Sequence, residues 1–133
     1  MKGRRIALVG GAGFIGSNLF RHLKKSGWQV EIFDLPECDN FLPGEIVRPL
    51  NIADPTVTLD QLLAYDAIVL LAGLLGRECE ARPAAGWSTN VFGPGRVLST
   101  LLQAGTQGLA RKRVIFLSSA AVYDQRVATP PYL

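Results

Sequence analysis

Between residues 6 and 18, a short apolar run passes through closely spaced glycines into an amphipathic segment. Gly10 ends the apolar run where the backbone must turn sharply, and glycine tolerates the positive φ that such turns need. Gly13 has no Cβ, so an anionic group can approach its main chain, and Gly16 lets the following helix pack closely on the strand. Free N–H groups at the start of that helix then face the same point. The pattern predicts a cradle for the diphosphate of a dinucleotide.

The segments that flank the glycines have the periodicities of a strand and a helix. Residues 6–9 form a continuous apolar run, which is typical of a parallel strand buried on both faces. After the glycines, Ile15, Leu19 and Leu23 recur at helical spacing and predict an apolar stripe that packs on the sheet. A further glycine offers an end to this helix, and residues 29–34 then alternate as a second strand. The sequence thus predicts a strand-helix-strand unit.

An aspartate ends the second predicted strand at position 34, about 20 residues beyond the glycines. A carboxylate at this distance can accept hydrogen bonds from the adenosine ribose hydroxyls and would repel a 2′-phosphate. Asp34 therefore favours NAD over NADP as the cofactor. The alternative is that Asp34 only caps a loop before Pro36.

The rest of the chain continues the alternation of strands and helices, which predicts the fold class. Parallel strands linked by helices form an α/β fold with a doubly wound sheet of the Rossmann type, here with about five strands in the order 3-2-1-4-5. With 133 residues, 48% of them hydrophobic, the chain is expected to form one domain over residues 1–133. The further strands and a short helix are predicted at residues 45–50, 59–63, 67–71 and 114–117.

A longer helix is predicted to begin at Pro83, because proline suits the first helical turn. This helix contains Gly93, Pro94 and Gly95, and an interior proline costs about 3 kcal/mol, so a kink or break is expected there. Apolar residues at helical spacing predict its buried stripe, which consists of Trp87, Val91, Leu98, Leu101 and Leu102.

Composition excludes several classes of protein and partner. The formal net charge of +3 is a mild basic excess that suits an anionic ligand, and the basic run at residues 111–113 is expected to be solvated rather than to bind nucleic acid. Cys38 and Cys79 lack the spacing of a metal or redox motif, so we expect reduced thiols and no metal site. Apolar stretches are too short to cross a bilayer, which predicts a cytoplasmic protein without a membrane partner.

Six motifs occur in the order found in one known family. By these motifs the chain resembles the extended short-chain dehydrogenases/reductases, and within them the NAD-dependent epimerase/dehydratase family, whose members act mostly on nucleotide sugars. The resemblance covers essentially the whole chain and corresponds to the amino-terminal part of such enzymes. The motifs lie at residues 10–18, 34, 51–54, 71–73, 90–93 and 118–123.

The resemblance implies which residues would hold NAD. Phe14 and Ile15 would present backbone N–H groups to the diphosphate, and Asp34 would bind the adenosine ribose. Asn51 stands where the family usually has aspartate, and its amide oxygen can still accept a hydrogen bond. The other residues implied are Ile52 and Asp54 near the adenine, Leu71, Ala72 and Gly73 along the cofactor, Asn90 as a support of the active-site backbone, and Ser118 at the active site. An alternative for Asn90 is an exposed polar residue on a helix.

The resemblance also implies Ser119 as a catalytic residue, the serine that hydrogen-bonds the reacting hydroxyl and its ketone intermediate. Tyr123 is an aromatic residue of the same motif and not the catalytic tyrosine. The acid–base pair of the family, Tyr-x-x-x-Lys, does not occur in this sequence, and we expect the carboxyl-terminal substrate region to be absent as well. An alternative for the two serines is ordinary loop polarity after a strand.

Our leading hypothesis is the NAD-binding portion of a nucleotide-sugar epimerase or dehydratase, an enzyme that moves a hydride from the sugar to the nicotinamide and back. Its partner would be a small-molecule substrate, and a longer form could be a homodimer. One alternative is a regulatory module that binds NAD without catalysis, which the missing tyrosine and lysine would explain. Another is an extended reductase that acts on a different secondary alcohol, such as a steroid or a flavonoid.

Overall fold

Five parallel strands form one sheet in the computed structural model, which describes residues 4–38, 41–105 and 112–119. The strand order is 3-2-1-4-5, which confirms the predicted Rossmann-type topology. The third strand is shorter than the predicted residues 45–50, and it lies at the edge of the described sheet, where it pairs with β2 on one side. The strands are β1 (Arg5–Val9), β2 (Gln29–Asp34), β3 (Val47–Pro49), β4 (Ala67–Leu70) and β5 (Arg113–Phe116).

The helices connect these strands much as the sequence predicted. The short helix expected at residues 59–63 is a 3₁₀ helix at Asp60–Ala64. Residues Gly76–Ala81 form a helix that the sequence did not predict, because six residues are too few to show a helical period. The α-helices are α1 (Phe14–Lys25), α2 (Gly76–Ala81), α3 (Pro83–Trp87) and α4 (Gly93–Gln103).

The predicted stripe of α1 is confirmed at Leu19 and Leu23, which are partly buried and pack against the core, but it is wrong at Ile15, which is 53% exposed. The reason is that α1 rests on the glycine turn through Gly16, where a Cβ would lie 2.4 Å from the carbonyl oxygen of Gly11. That contact brings Gly16, Ser17 and Phe20 inward, and these are the fully buried residues of α1.

The predicted long helix consists of α3, a π-helical turn at Ser88–Phe92 and α4. The chain stays helical through Gly93, so the expected break at residues 93–95 is instead a wider turn just before Pro94, as is common where the hydrogen-bond ladder is interrupted. The predicted stripe is wrong except at Leu101, because Gly93 and Arg96 bring a neighbouring face of α4 against the segment that follows β3. Trp87, Val91, Leu98 and Leu102 are exposed, and α4 buries Gly93, Pro94, Val97 and Leu101.

Both faces of the sheet are covered by apolar side chains, because successive residues of a strand point to opposite faces. One face packs against α4 and the 3₁₀ helix, and the other packs against α1. The first cluster includes Ala7, Val9, Phe33, Leu62, Ile68, Leu70, Val97 and Leu101. The second includes Ile6, Leu8, Phe20, Val30, Ile32 and Val69.

Several expectations from composition can be compared with the described part of the chain. None of its helices has the length and apolar character that crossing a membrane requires. Cys38 and Cys79 are both thiols, and within the described residues the cysteine, histidine and acidic side chains form no group of three that could hold a metal ion. Lys112 is partly buried rather than solvated, and its Nζ donates to the carbonyls of Leu63 and Tyr65 at 2.6 and 2.8 Å.

Charged side chains link the three neighbouring strands β3, β2 and β1. Glu31 of β2 accepts a hydrogen bond from Arg5 of β1 at 2.8 Å and forms an ion pair with Arg48 of β3, whose Nε lies 2.6 Å from Oε2. Partial burial alone would raise the pKa of Glu31, but hydrogen bonds from Arg5 and Tyr65 and the charge of Arg48 hold that pKa below its ordinary value. Burial and the neighbouring Glu31 raise the pKa of Tyr65 to about 12.

We expect Glu31→Gln to lower the free energy of unfolding near neutral pH by about 1 kcal/mol, since the arginine partners are half exposed. Because the folded pKa of Glu31 is lowered, its stabilisation is present above the ordinary value of 4.5 and is lost as the pH falls through the folded pKa. The difference between wild type and variant in urea titrations should therefore shrink in acid. The exposed Glu45 provides the control, Glu45→Gln. A difference that does not change with pH would contradict this account.

Candidate functional site

The carboxyl ends of the central strands bring most of the predicted site residues to one edge of the sheet. Val9 is in register with Phe33 of β2 on one side and with Leu70 of β4 on the other. The glycine turn, Asp34 and residues 71–73 follow these positions and therefore lie side by side. Open α/β sheets bind their ligands at this edge.

Gly10 makes the tightest approach at this edge. Its φ is +79°, and a Cβ would lie 2.3 Å from the backbone nitrogen of Ala72. Its N–H donates to the Phe33 carbonyl at 2.8 Å. Any side chain at position 10 would force the turn away from β4, so the sharp turn that the sequence predicted is present and requires glycine.

Gly13 and Gly16 differ in what surrounds them. Gly13 has an ordinary φ of −71° just before α1, and an added Cβ would meet only the Gly10 carbonyl oxygen at 3.9 Å, so the space beside it is open to a ligand. Gly16 packs on Gly11 of the turn rather than on the strand that the sequence predicted as its partner. Phe14 and Ile15 begin α1, where backbone N–H groups have no acceptor within the helix, and their side chains point to solvent.

The Asp34 carboxylate holds two parts of the site at once. Oδ1 accepts from the Leu35 N–H at 2.9 Å, which is the loop cap that the sequence left open as an alternative. Oδ2 accepts from the Ala12 N–H at 2.9 Å and so binds the glycine turn. A carboxylate offers about four acceptor positions, so about two remain for a ligand.

Two adjoining cavities meet at Gly10, Asp34, Ala72 and Gly73. The outer cavity has a volume of about 420 Å³ and also includes Gly13, Phe41, Leu71 and Glu78 in its lining. The inner cavity has a volume of about 120 Å³, and its lining includes Asn51, Ile52, Leu74 and Thr89.

Ile52 and Asp54 were both predicted to lie near the adenine, but in the structure their side chains have different surroundings. Ile52 is buried and lines the inner cavity. The Asp54 carboxylate instead accepts from the Thr56 hydroxyl at 2.7 Å and from the Thr56 N–H at 2.9 Å. These hydrogen bonds hold the pKa of Asp54 below its ordinary value.

Asn90 binds the backbone that follows β4. Its Oδ1 accepts from the Leu74 N–H at 2.8 Å, and its Nδ2 donates to the Leu74 carbonyl at 3.0 Å. The Cys79 thiol donates to the same carbonyl at 3.3 Å. Asn90 is thus a backbone support rather than the solvated helix residue that was its alternative, and its part in cofactor binding remains a prediction.

Ser118 and Ser119 follow β5 at the same edge of the sheet. The Leu117 N–H donates to the Leu70 carbonyl at 3.3 Å, which keeps this segment beside the end of β4. Both serines are exposed. Their catalytic and binding roles remain predictions, and Tyr123 lies outside the described residues.

Phe41 is a lining residue of the outer cavity that the sequence did not indicate. Its N–H donates to the Ala12 carbonyl at 3.1 Å, and its carbonyl accepts from the Arg21 guanidinium at 2.7 Å. The loop that contains Phe41 is therefore bound to the glycine turn and to α1. Because these contacts are long-range and the loop has no periodicity, no sequence pattern could have identified Phe41.

The comparisons with known proteins agree on one family. The model of the NAD dependent epimerase/dehydratase family matches residues 6–131. The UDP-N-acetyl-alpha-D-glucosaminuronate decarboxylase of Bacillus cytotoxicus is 32% identical over 135 residues, which cover 97% of this chain and 40% of that protein. The UDP-glucose 4-epimerase of Rhizobium meliloti is 31% identical over 136 residues, with coverage of 98% and 40%.

A solved structure gives the same result. The UDP-glucose-4-epimerase of Stenotrophomonas maltophila, with bound NAD and formylated UDP-arabinopyranose, matches with a TM-score of 0.72 and 26% identity. The match covers 96% of this chain and 40% of that one. The chain therefore spans about two fifths of the length of these relatives.

We expect Asn90→Ala to lower the free energy of unfolding by about 2 kcal/mol, because it leaves the Leu74 N–H without its acceptor and the Leu74 carbonyl with the weaker Cys79 thiol as its remaining side-chain donor. The control is Asn18→Ala, since Asn18 is exposed on α1 and donates to the Phe14 carbonyl of its own helix. That change should stay within about 0.5 kcal/mol of wild type. Urea titrations of the three proteins measure the difference, and equal losses at the two positions would show that Asn90 is no special support.

Proposed function

Because this chain belongs to the NAD dependent epimerase/dehydratase family, we propose that residues 1–133 are the NAD-binding portion of an oxidoreductase that acts on a nucleotide sugar. The family membership confirms the resemblance that the ordered motifs indicated. The substrate class is proposed from relatives named for UDP-sugars, among them the UDP-glucose 4-epimerase of Rhizobium meliloti.

The observation that carries the proposal is the open space beside Gly13, directly in front of the first residues of α1. A diphosphate in that space would accept hydrogen bonds from the N–H groups of Phe14 and Ile15 and would face the positive end of the helix dipole. Gly10 holds this turn against Ala72, so the N–H groups are oriented before any ligand arrives.

The remaining parts of the cofactor fit the two cavities. Asp34 lines both, and its acceptor positions beyond Ala12 and Leu35 suit the adenosine ribose hydroxyls. The same negative charge would repel a 2′-phosphate, which favours NAD over NADP. The adenine would then lie at the inner cavity against Ile52, and the outer cavity would hold the chain of atoms that leads to the nicotinamide.

When it is bound, NAD would accept a hydride from the substrate and return it. In this chain, Ser119 would donate a hydrogen bond to the reacting oxygen, and Ser118 would lie beside the nicotinamide end. Asn90 would keep the backbone after β4 in place beneath the cofactor through Leu74. Because Tyr-x-x-x-Lys does not occur in this sequence, we assign no proton-transfer residue within it.

We also propose that the whole protein is a homodimer that acts in the cytoplasm on a free nucleotide sugar. The thiol state of Cys38 and Cys79 is in keeping with a reducing compartment.

Gly13→Ala tests the cofactor site without disturbing the fold. Alanine adopts a φ of −71° readily and would meet only one atom, at 3.9 Å, so the variant should fold as wild type does. Its methyl group would occupy the diphosphate space, and we expect affinity for NADH to fall at least about tenfold, or about 1.4 kcal/mol. A titration that follows NADH fluorescence measures the affinity.

The matched control is Gly95→Ala in α4, where an added Cβ would meet nothing within 4 Å. Its affinity for NADH should equal that of wild type. Cofactor binding by this chain would be refuted if wild type left NADH fluorescence unchanged at millimolar cofactor. Equal affinities in wild type and Gly13→Ala would place the diphosphate elsewhere.

Ser119→Ala tests the catalytic proposal in the whole protein. With NAD and UDP-glucose, we expect a loss of about 10²-fold in kcat with unchanged affinity for NADH, because the hydroxyl would act on the reacting oxygen and not on the cofactor. Ser99→Ala, at an exposed position of α4, is the control. Product analysis by NMR distinguishes epimerised, dehydrated and decarboxylated sugars. Turnover of a steroid or flavonoid alcohol but of no nucleotide sugar would overturn the substrate class.

A further inference from the structure

A single side chain of α4 holds the segment that follows β3. The Arg96 guanidinium donates from Nη1 to the carbonyls of Ile52 and Asp54, at 2.7 and 2.6 Å, and from Nη2 to the Val57 carbonyl at 2.6 Å. Hydrogen bonds from a charged donor are stronger than those between neutral groups. Arg96 is partly buried, so these bonds are little weakened by solvent. Residues 52–57 are therefore bound to α4 at three points.

These bonds and the apolar packing of Ile52 and Val57 position the segment 52–57. It belongs to no helix or strand, and it connects β3 to the 3₁₀ helix. Its own hydrogen bonds are local, such as those from Thr56 to Asp54 and from the Val57 N–H to the Asp54 carbonyl. Local bonds shape the turns but do not fix their distance from the sheet. Ile52 and Val57 pack against the core, and Arg96 fixes the backbone carbonyls of the segment relative to α4.

The first residue of this segment forms part of the inner cavity. Ile52 lies between that cavity and α4, where the missing side chain of Gly93 leaves it room, since a Cβ at Gly93 would lie 2.8 Å from Ile52 Cγ1. Gly93 thus limits how far Ile52 can retreat, and Arg96 holds its carbonyl in place. Both constraints come from the first turn of α4.

We propose that Arg96 is a positioning residue that sets the wall of the inner cavity at Asn51 and Ile52, and with it the affinity for the adenine half of the cofactor. The inference rests on the proposed function, because it assumes that the inner cavity receives the adenine. A planar base in a narrow slot depends on wall spacing, since a gap of about 0.5–1 Å already forfeits a quarter to a half of the dispersion attraction. The diphosphate end relies instead on the glycine turn, which Arg96 does not contact.

Lysine cannot reproduce this arrangement. Two nitrogens of the planar Arg96 guanidinium donate to the three carbonyls. A lysine ammonium has a single nitrogen and cannot place donors at the same separate positions. Arg96→Lys should therefore act in the same direction as Arg96→Met but less strongly, because it keeps the charge and part of the bonding.

The experiment compares two halves of the cofactor as competitors of bound NADH: AMP, which has the adenine, and nicotinamide mononucleotide, which does not. We expect Arg96→Met to lower the affinity for AMP about tenfold and the affinity for nicotinamide mononucleotide less than about twofold. The affinity of Arg96→Lys for AMP should lie between those of wild type and Arg96→Met. Arg113→Met, at an exposed position on the opposite edge of the sheet, should change neither. A general loss of structure would weaken both competitors together, so the ratio of the two affinities reports positioning.

Equal weakening of the two halves, or no change in either, would overturn the proposal. Thermal midpoint and near-UV circular dichroism show whether Arg96→Met folds. If it does not, Arg96→Lys alone tests the proposal. Its loss of affinity for AMP must then exceed its loss of affinity for nicotinamide mononucleotide by at least about threefold. Failure of wild type to bind NADH would instead refute the proposed function. The two failures are therefore distinguishable.

Discussion

The main chain of Gly10 touches the main chain of Ala72, and the candidate site is organised around this contact. A Cβ at Gly10 would lie 2.3 Å from the Ala72 nitrogen, so the turn after β1 and the segment after β4 can only approach this closely through glycine. Gly16 makes a second backbone contact of this kind, with Gly11, and lets α1 pack closely on the glycine turn. Because both contacts join backbones, they fix the start of α1 and the floor of the cavities without any adjustable side chain.

Helix α4 and the π-helical turn before it form the second organising element. Asn90 binds Leu74 after β4, Gly93 leaves room for Ile52 after β3, and Arg96 holds the carbonyls of the following segment. One helical stretch thereby positions two loops that line the cavities. The wide turn at Ser88–Phe92 has a direct part in this, since it sets the phase at which Asn90 and Arg96 leave the helix.

Local sequence patterns were sufficient to predict the strands and their order in the sheet. The continuous apolar runs of β1 and β4 and the alternation of β2 predicted the strands to within a residue, and the right-handed connections then allowed the order 3-2-1-4-5. The predicted face of α1 was confirmed at Leu19 and Leu23, which pack against the core, but not at Ile15, which is exposed. Most of the predicted stripe of the long helix is exposed, because tertiary contacts and not periodicity alone decide which face packs on the sheet.

The sequence by itself determined where the chain turns and which residue types stand at those turns, because glycine spacing, apolar period and a strand-ending aspartate are local properties. Only the tertiary structure decided what those residues touch. The bonds from Ala12 to Asp34, from Arg21 to Phe41 and from Arg96 to Ile52 join positions far apart in the chain. No period or spacing encodes such pairs, since they arise only when the sheet places the ends of different strands side by side.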